Sequence, residues 1–454
     1  MKYRPSLSLA AAALFLLEPW VQAQLSGSVG PTTSRAAKAA KKVCNIMNYG
    51  GVASATTDNS AAITAAWNAC KGGGEVYIPS GSYGLSSWVT LSGGSGVSIN
   101  LEGVIYRITS ATAGGTMISV SSTTDFEFYS GNSKGAIQGY GYLLNANGAN
   151  SGPRLVRLTQ VTNFSFHDIA LVDAPEFSLV MDTCSNGEVY NSIVRAGSEG
   201  GLDGVDVWGQ NIWIHDIEVT NKDECVTVKS PASNILVESI FCNWSGGSAM
   251  GSLGANTDIS NIYYRNVYSQ NCNQMYMIKS WGGSGTVKNV KLENFWGHSN
   301  AYTLDLNAYW TSMTQAPGDG VSYQNITFTG WKGTNSNGAQ RGSIQVLCPS
   351  AVPCTGITIS DVNIWTESGS TEKEICENAN YAIQTMPNEI KTWGLGTEIP
   401  IPAIPTSFFP GLRPISALMA ASSNGGGPRL PQRARLRRPP QPGQAAGSSP
   451  STCL

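Results

Sequence analysis

Charged residues are scarce: they make up 13% of the 454-residue chain, against roughly 25% in an average soluble domain. The net charge is −2, so no global basic field points to a nucleic-acid partner. Histidine is rarer still. The three present, His167, His215 and His298, stand at unrelated positions, and no Cys-x-x-Cys pair occurs. A zinc site therefore has no obvious ligand set. Beyond the first twenty residues no apolar run is long enough for a membrane helix, so no membrane partner is expected. Helical periodicity is nearly absent as well, which disfavours helical and leucine-rich repeats.

What is present begins with an address. Lys2 and Arg4 precede the apolar run Leu7–Leu17, and Val21-Gln22-Ala23 offers small residues at cleavage spacing. This reads as a secretory signal peptide over residues 1–23, placing the mature protein outside the cell. Three N-x-S/T sequons, at Asn163, Asn243 and Asn325, fit that route as candidate glycosylation sites. Ten cysteines in an exported chain favour disulfides over metal ligands. The close pairs Cys44/Cys70, Cys225/Cys242 and Cys348/Cys354 are the bridge candidates. Cys184 and Cys272 are candidates for buried free thiols, and the pairing of Cys376 and Cys453 stays open.

A motif returns at near-regular intervals: Asn163-Phe-Ser-Phe-His-Asp-Ile, Gly187-Glu-Val-Tyr-Asn-Ser-Ile, Asn211-Ile-Trp-Ile-His-Asp-Ile, then versions starting at Asn234, Asn261 and Asn289. Recurrence at twenty to thirty residues is the signature of a solenoid. Each unit alternates apolar and polar residues and is rich in Ile, Val, Tyr and Thr, as half-buried strands require. Such coils stack into parallel sheets, and the expected class is all-β: a right-handed, single-stranded parallel β-helix over residues 24–400. The repeated Asn can form a ladder at one turn, because Asn tolerates the left-handed conformation and bonds locally. A β-sandwich is the competing architecture. Ala61–Cys70 is the one amphipathic helix, with Asp58 or Asn59 available to cap it, and it is expected to cover the amino end of the solenoid. After residue 400 Pro, Gly, Ser, Ala and Arg dominate, so 401–454 reads as a disordered tail.

The densest ionisable residues fall in successive coils. Asp203 and Asp206 lie in Gly201-Leu-Asp-Gly-Val-Asp-Val, and Asp223, Glu224 and Lys229 in Asn221-Lys-Asp-Glu-Cys-Val-Thr-Val-Lys. Ser248 follows in a Gly-rich stretch, and Lys279 in Met277-Ile-Lys-Ser. Steps of 20, 25 and 31 residues from Asp203 to Asp223, Ser248 and Lys279 predict rungs on one parallel sheet. Carboxylates stacked so closely cannot all ionise, which supplies the acid and the base that glycoside hydrolysis needs. Asp203, Asp223 and Glu224 are the candidate catalytic residues. Lys279, Lys229, Asp206 and Ser248 are the candidate substrate-binding residues, Lys279 because an ammonium suits an anionic sugar. Neighbours on an ideal strand point to opposite faces, so Asp223 and Glu224 share a groove only if the chain bends there. Asp206 is equally readable as a turn former. Trp281, Tyr302 and Trp310 are read as packing residues and His215 as structural.

At these residues the chain resembles glycoside hydrolase family 28, most closely its fungal rhamnogalacturonan hydrolases. The likeness runs from about residue 40 to residue 370. It rests on Gly72-Gly-Gly-Glu-Val-Tyr-Ile-Pro, Gly204-Val-Asp-Val-Trp-Gly, Asn221-Lys-Asp-Glu-Cys-Val-Thr-Val-Lys-Ser, Asn243-Trp-Ser-Gly-Gly and Asn273-Gln-Met-Tyr-Met-Ile-Lys-Ser. Polygalacturonases of the family carry Asp-Asp, Gly-His-Gly and Arg-Ile-Lys. Here these read Asp223-Glu224, Gly247-Ser248-Ala249 and Met277-Ile278-Lys279, as in the rhamnogalacturonan-cleaving branch. The resemblance implies an inverting hydrolase that cuts galacturonosyl–rhamnose bonds in pectic rhamnogalacturonan. It implies Asp223 as general acid, Asp203 and Glu224 activating water, and Lys279 on the galacturonate carboxylate. The resemblance implies no metal or organic cofactor, and the protein is expected to act as a monomer. Competing readings are a polygalacturonase-type hydrolase, a pectin-type lyase and a non-catalytic carbohydrate-binding solenoid.

Overall fold

A computed structural model describes residues 25–34, 42–145, 151–336, 344–367 and 374–382. The expected signal peptide and the 401–454 tail lie outside these residues. Among the described residues no helix is long and apolar enough to cross a membrane.

The named strands pair in parallel from coil to coil, giving a parallel β-helix. One inward column runs Phe164, Gly187, Ile212, Ile235, Ile262, Val290, Ile326 and Ile357, each in register with the next. Alternation along each strand sends these side chains into one continuous apolar core while their neighbours face outward. Gly187 breaks the column for a packing reason. A Cβ there would sit 2.1 Å from the Phe164 ring.

The Asn ladder forms as expected, with one correction. The second repeat begins at Asn186, since Phe164 pairs with Gly187. Asn186, Asn211, Asn234, Asn261, Asn289 and Asn325 all hold left-handed backbone, φ between 53° and 58°. Their amides chain together: Asn211 donates to Asn186 at 2.9 Å, Asn234 to Asn211 at 2.9 Å, Asn289 to Asn261 at 3.0 Å and Asn325 to Asn289 at 2.9 Å.

The helix Ser60–Cys70 packs Ile63, Ala66 and Trp67 into the core at the amino end. Asp58 does the capping, its Oδ1 accepting from the Ser60 N–H at 3.1 Å, while the Asn59 side chain binds the preceding loop instead. All three expected disulfides are present: Cys44–Cys70, Cys225–Cys242 and Cys348–Cys354. Cys184 and Cys272 are buried free thiols, and Cys376 is disulfide-bonded.

Candidate active site

The acidic residues gather where one turn of the solenoid departs from the repeat. Asp203 ends the loop before strand Val205–Thr220, and Asn221-Lys222-Asp223 forms the turn before strand Glu224–Asn243. Asn221, buried, ties the two turns together: its Nδ2 donates to the Leu202 carbonyl at 2.7 Å and to that of Glu224 at 2.9 Å. The Gly204 N–H also donates to the Glu224 carbonyl, at 2.8 Å. With Val205 opposite Val226, Asp203 faces Glu224 rather than Asp223 across the ladder. The simple rung order expected from spacing is thus off by one residue. Asp223 reaches the same place from the bend just before the strand. Its Oδ1 accepts from the Glu224 N–H at 3.0 Å and its Oδ2 from the Gly201 N–H.

The next coil fixes this bend from below. The Ser245 hydroxyl and the Gly246 N–H both donate to the Asp223 carbonyl, at 2.8 and 2.7 Å. Gly246 has to be glycine here, because a Cβ would lie 2.9 Å from the Asp223 carbonyl carbon. Directly behind Glu224, the fully buried Cys225–Cys242 bridge closes the coil on itself.

One carboxylate oxygen from each of Asp203, Asp223 and Glu224 lies within 4.8 Å of the other two. Two lysines balance them. Lys279 Nζ sits on Glu224 Oε1, and Lys229 Nζ lies 3.3 Å from Asp203 Oδ2 and 3.4 Å from Asp206 Oδ1. The second of these Lys229 contacts is an ion pair without hydrogen-bond alignment, since Asp206 Oδ1 has no hydrogen-bond partner. Burial, then Asp206, push Asp203 up to about 7 against the pull of Lys229. Burial, then the charge and hydrogen bond of Glu224, push Asp223 up to about 6. Asp206 is raised by burial to about 6, with Lys229 opposing. Lys229 loses to burial but gains more from Asp206 and Asp203, and its ammonium is held firmly protonated. The cluster thus keeps protons at a pH where lone carboxyls would have lost them.

Access separates these residues. Asp223 is half-buried, whereas Asp203 and Glu224 are each 3% exposed. Asp206, 1% exposed, stands behind Asp203 with Lys229. Both were expected to touch substrate, but their charged groups are spent on Asp203 and on each other. Ser248 is a clearer correction. It is fully buried, its Oγ 3.6 Å from the bridged Cys242 Sγ, because the ladder shifts register between Glu224 and Thr227. Asn243 is 1% exposed within a strand, which removes it as a glycan acceptor; Asn325 is exposed, and Asn163 accepts a 2.7 Å hydrogen bond from Thr32. His215 is structural, as read: Asp216 and Glu188 flank its ring at 2.8 and 3.1 Å. Trp281, Tyr302 and Trp310 are half-buried. The sequence reading missed Asn221 and Ser245 as organisers of the bend. The signal was a short polar residue at the head of each irregular turn.

The same three carboxylates are close enough to share a cation. Two of them already have lysine ammonium groups as counter-ions, which a hard cation with six or more oxygen ligands would have to displace. The arrangement suits proton transfer better than metal binding.

A parallel β-helix carrying coupled carboxylates on an open turn defines the glycosidase class of this architecture. The sequence profile described as Glycosyl hydrolases family 28 matches residues 72–386. The chain is 58% identical over 439 residues to Rhamnogalacturonase A of Aspergillus aculeatus, covering 89% of this chain and 99% of that protein. It is 55% identical over 447 residues to a Probable rhamnogalacturonase A of Aspergillus niger, covering 92% and 99%. Among solved structures, an exopolygalacturonase from Thermotoga maritima superposes with a TM-score of 0.64 at 13% identity, over 80% of this chain and 94% of that one. A polygalacturonase from Erwinia carotovora gives 0.62 at 18%, over 79% and 100%; these two likenesses speak for the fold. The chain belongs to glycosyl hydrolase family 28 and is a glycoside hydrolase.

Proposed function

We propose that this protein is a secreted, monomeric enzyme that hydrolyses α-1,2 galacturonosyl–rhamnose bonds within the rhamnogalacturonan backbone of pectin. The observation that carries the reading is the trio Asp203, Asp223 and Glu224 with oxygens inside 4.8 Å and two lysines against them. The names of its relatives supply the substrate. Asp223, the most accessible of the three, donates the proton to the leaving oxygen, and Asp203 with Glu224 activates water. Lys279 holds the galacturonate carboxylate. In the free enzyme that ammonium rests on Glu224, so an arriving uronate competes with Glu224 for it. Lys229 and Asp206 hold Asp203 in place from behind. The three disulfides and the leader-like residues 1–23 support export.

Incubation with rhamnogalacturonan and homogalacturonan side by side tests the reading. Reducing ends should appear from the first substrate only, with galacturonate at the new reducing end and no ultraviolet-absorbing unsaturated product. Release from homogalacturonan alone would move the chain to the polygalacturonases, and an unsaturated product would make it a lyase. The family resemblance implies inversion, in which an activated water attacks the face opposite the leaving group. Proton NMR of the first-formed reducing end should show the inverted anomer; the retained one would reject water activation by Asp203 and Glu224.

A further inference from the structure

The turn that follows the catalytic one holds an aromatic residue where the neighbouring coils use small ones. Thr220, Asn243, Gln270 and His298 are in register, one per coil, and each leads into a turn on the same edge of the solenoid. The turns after Arg195, Asn243 and Gln270 hook onto the next coil: Ala196 N–H to the Thr220 carbonyl at 2.8 Å, Trp244 to Gln270 at 2.9 Å, Asn271 to His298 at 2.9 Å. In this stack Asp173, Asn271 and Ser299 are left-handed, φ 55°, 53° and 55°, whereas Ala196 and Asn221 in the coils between are not. Trp244 is left-handed too, at φ 53°. Left-handed backbone suits Asn, Asp and Gly and is an outlier for a bulky side chain.

Nothing in the packing rewards the substitution. Trp244 is 40% exposed, and among the described residues its indole forms no ring pair. It is not filling core. Its neighbour Ser245 is the residue whose hydroxyl binds the Asp223 carbonyl at 2.8 Å. The indole therefore stands on the turn one coil, about 4.8 Å, beyond the one that carries Asp223. Disfavoured conformations kept at such places mark functional demands. Asn243 before it is buried, so no glycan at that sequon competes for the surface.

We propose that Trp244 is a stacking platform for the pyranose ring bound next to the scissile bond, on the carboxyl-terminal side of the carboxylates. An indole offers a flat apolar face at low entropic cost, matching the C–H face of a sugar ring, and its N–H remains available to a sugar hydroxyl. The inference rests on the hydrolase reading above.

The test compares Trp244→Asn, Trp244→Phe and the parent enzyme on rhamnogalacturonan. Asn relieves the backbone conformation while removing the platform. Its melting temperature should match or exceed the parent's, while KM rises on the order of 3- to 10-fold and kcat stays within about twofold. Phe should restore most of the KM. An unchanged KM in Trp244→Asn, with the parent active, overturns the platform and leaves the hydrolase reading intact. A fall in melting temperature with unchanged KM would make Trp244 a packing residue, which also overturns it. A parent inactive on rhamnogalacturonan would defeat the function proposed above and this inference with it.

Discussion

Two stacks of turns run along this solenoid, and they are built on opposite rules. The Asn stack repeats one residue type in one conformation, and four of its amides bond the amide of the coil before. The stack that includes the catalytic turn repeats the hook but not the residue. After Arg195, Thr220, Asn243 and Gln270, successive coils place Ala196, Asn221, Trp244 and Asn271 there, with two register shifts nearby. Repetition lets one kind of bond serve turn after turn. Chemistry needs unlike groups brought together, including charges that burial disfavours. The site is therefore where the repeat fails.

This contrast can be broken experimentally, beginning where the effect is largest. Asp203→Asn should lower turnover by about 10²–10⁴-fold while the melting temperature holds, since it removes a charge that burial resists. A double Asp203→Asn/Glu224→Gln variant should be little worse than either single one, because the residues act as a unit. Additive losses would separate their roles.

Next comes the bridge behind Glu224. Replacing Cys225 and Cys242 by Ala should cost about 2–4 kcal/mol in denaturant unfolding and lower activity beyond the loss of folded protein. Removing Cys348–Cys354, remote from the carboxylates, should affect stability only.

Stability should also fall as pH rises. Asp203, Asp206, Asp223 and Asp173 have folded values above the unfolded 3.8, at about 7, 6, 6 and 8. Burial works against a charged His215 too, but Asp216 and Glu188 overcome it and lift it to about 9. A group raised on folding stabilises fully below its unfolded value and loses that contribution as pH climbs through the folded one. The melting temperature should thus be higher at pH 5 than at pH 8, and Asp203→Asn should flatten the slope. A parent more stable at pH 8 would refute these assignments.

The smallest effect belongs to the regular stack. Asn211→Ala removes two amide bonds and a left-handed preference, and should cost about 1–2 kcal/mol with catalysis untouched. Loss of activity there would deny that the two stacks are independent.

The regular part was legible in the sequence because periodicity reports it directly. The Asn ladder, the helical cap and the close cysteine pairs all followed from spacing and residue type. The carboxylates were legible because charge is so scarce elsewhere. What spacing could not report was side-chain direction at irregular turns. The bend at Asn221–Asp223 set Asp203 opposite Glu224, and the shift between Glu224 and Thr227 turned Ser248 inward and buried it. Asn243 failed as a sequon for a related reason, since a three-residue pattern carries no information about burial. Lys229 and Asp206 were found as charged residues, but only the fold shows that Lys229 bridges Asp203 and Asp206.

The division of labour among the carboxylates is tested most directly by changing the leaving group. Asp223→Asn should be nearly inert on rhamnogalacturonan yet approach parental rates on a glycosyl fluoride of the same sugars, whose departure needs no proton. If Asp223→Asn turned over both substrates normally, or if the fluoride rescued Asp203→Asn instead, Asp223 would not be the proton donor.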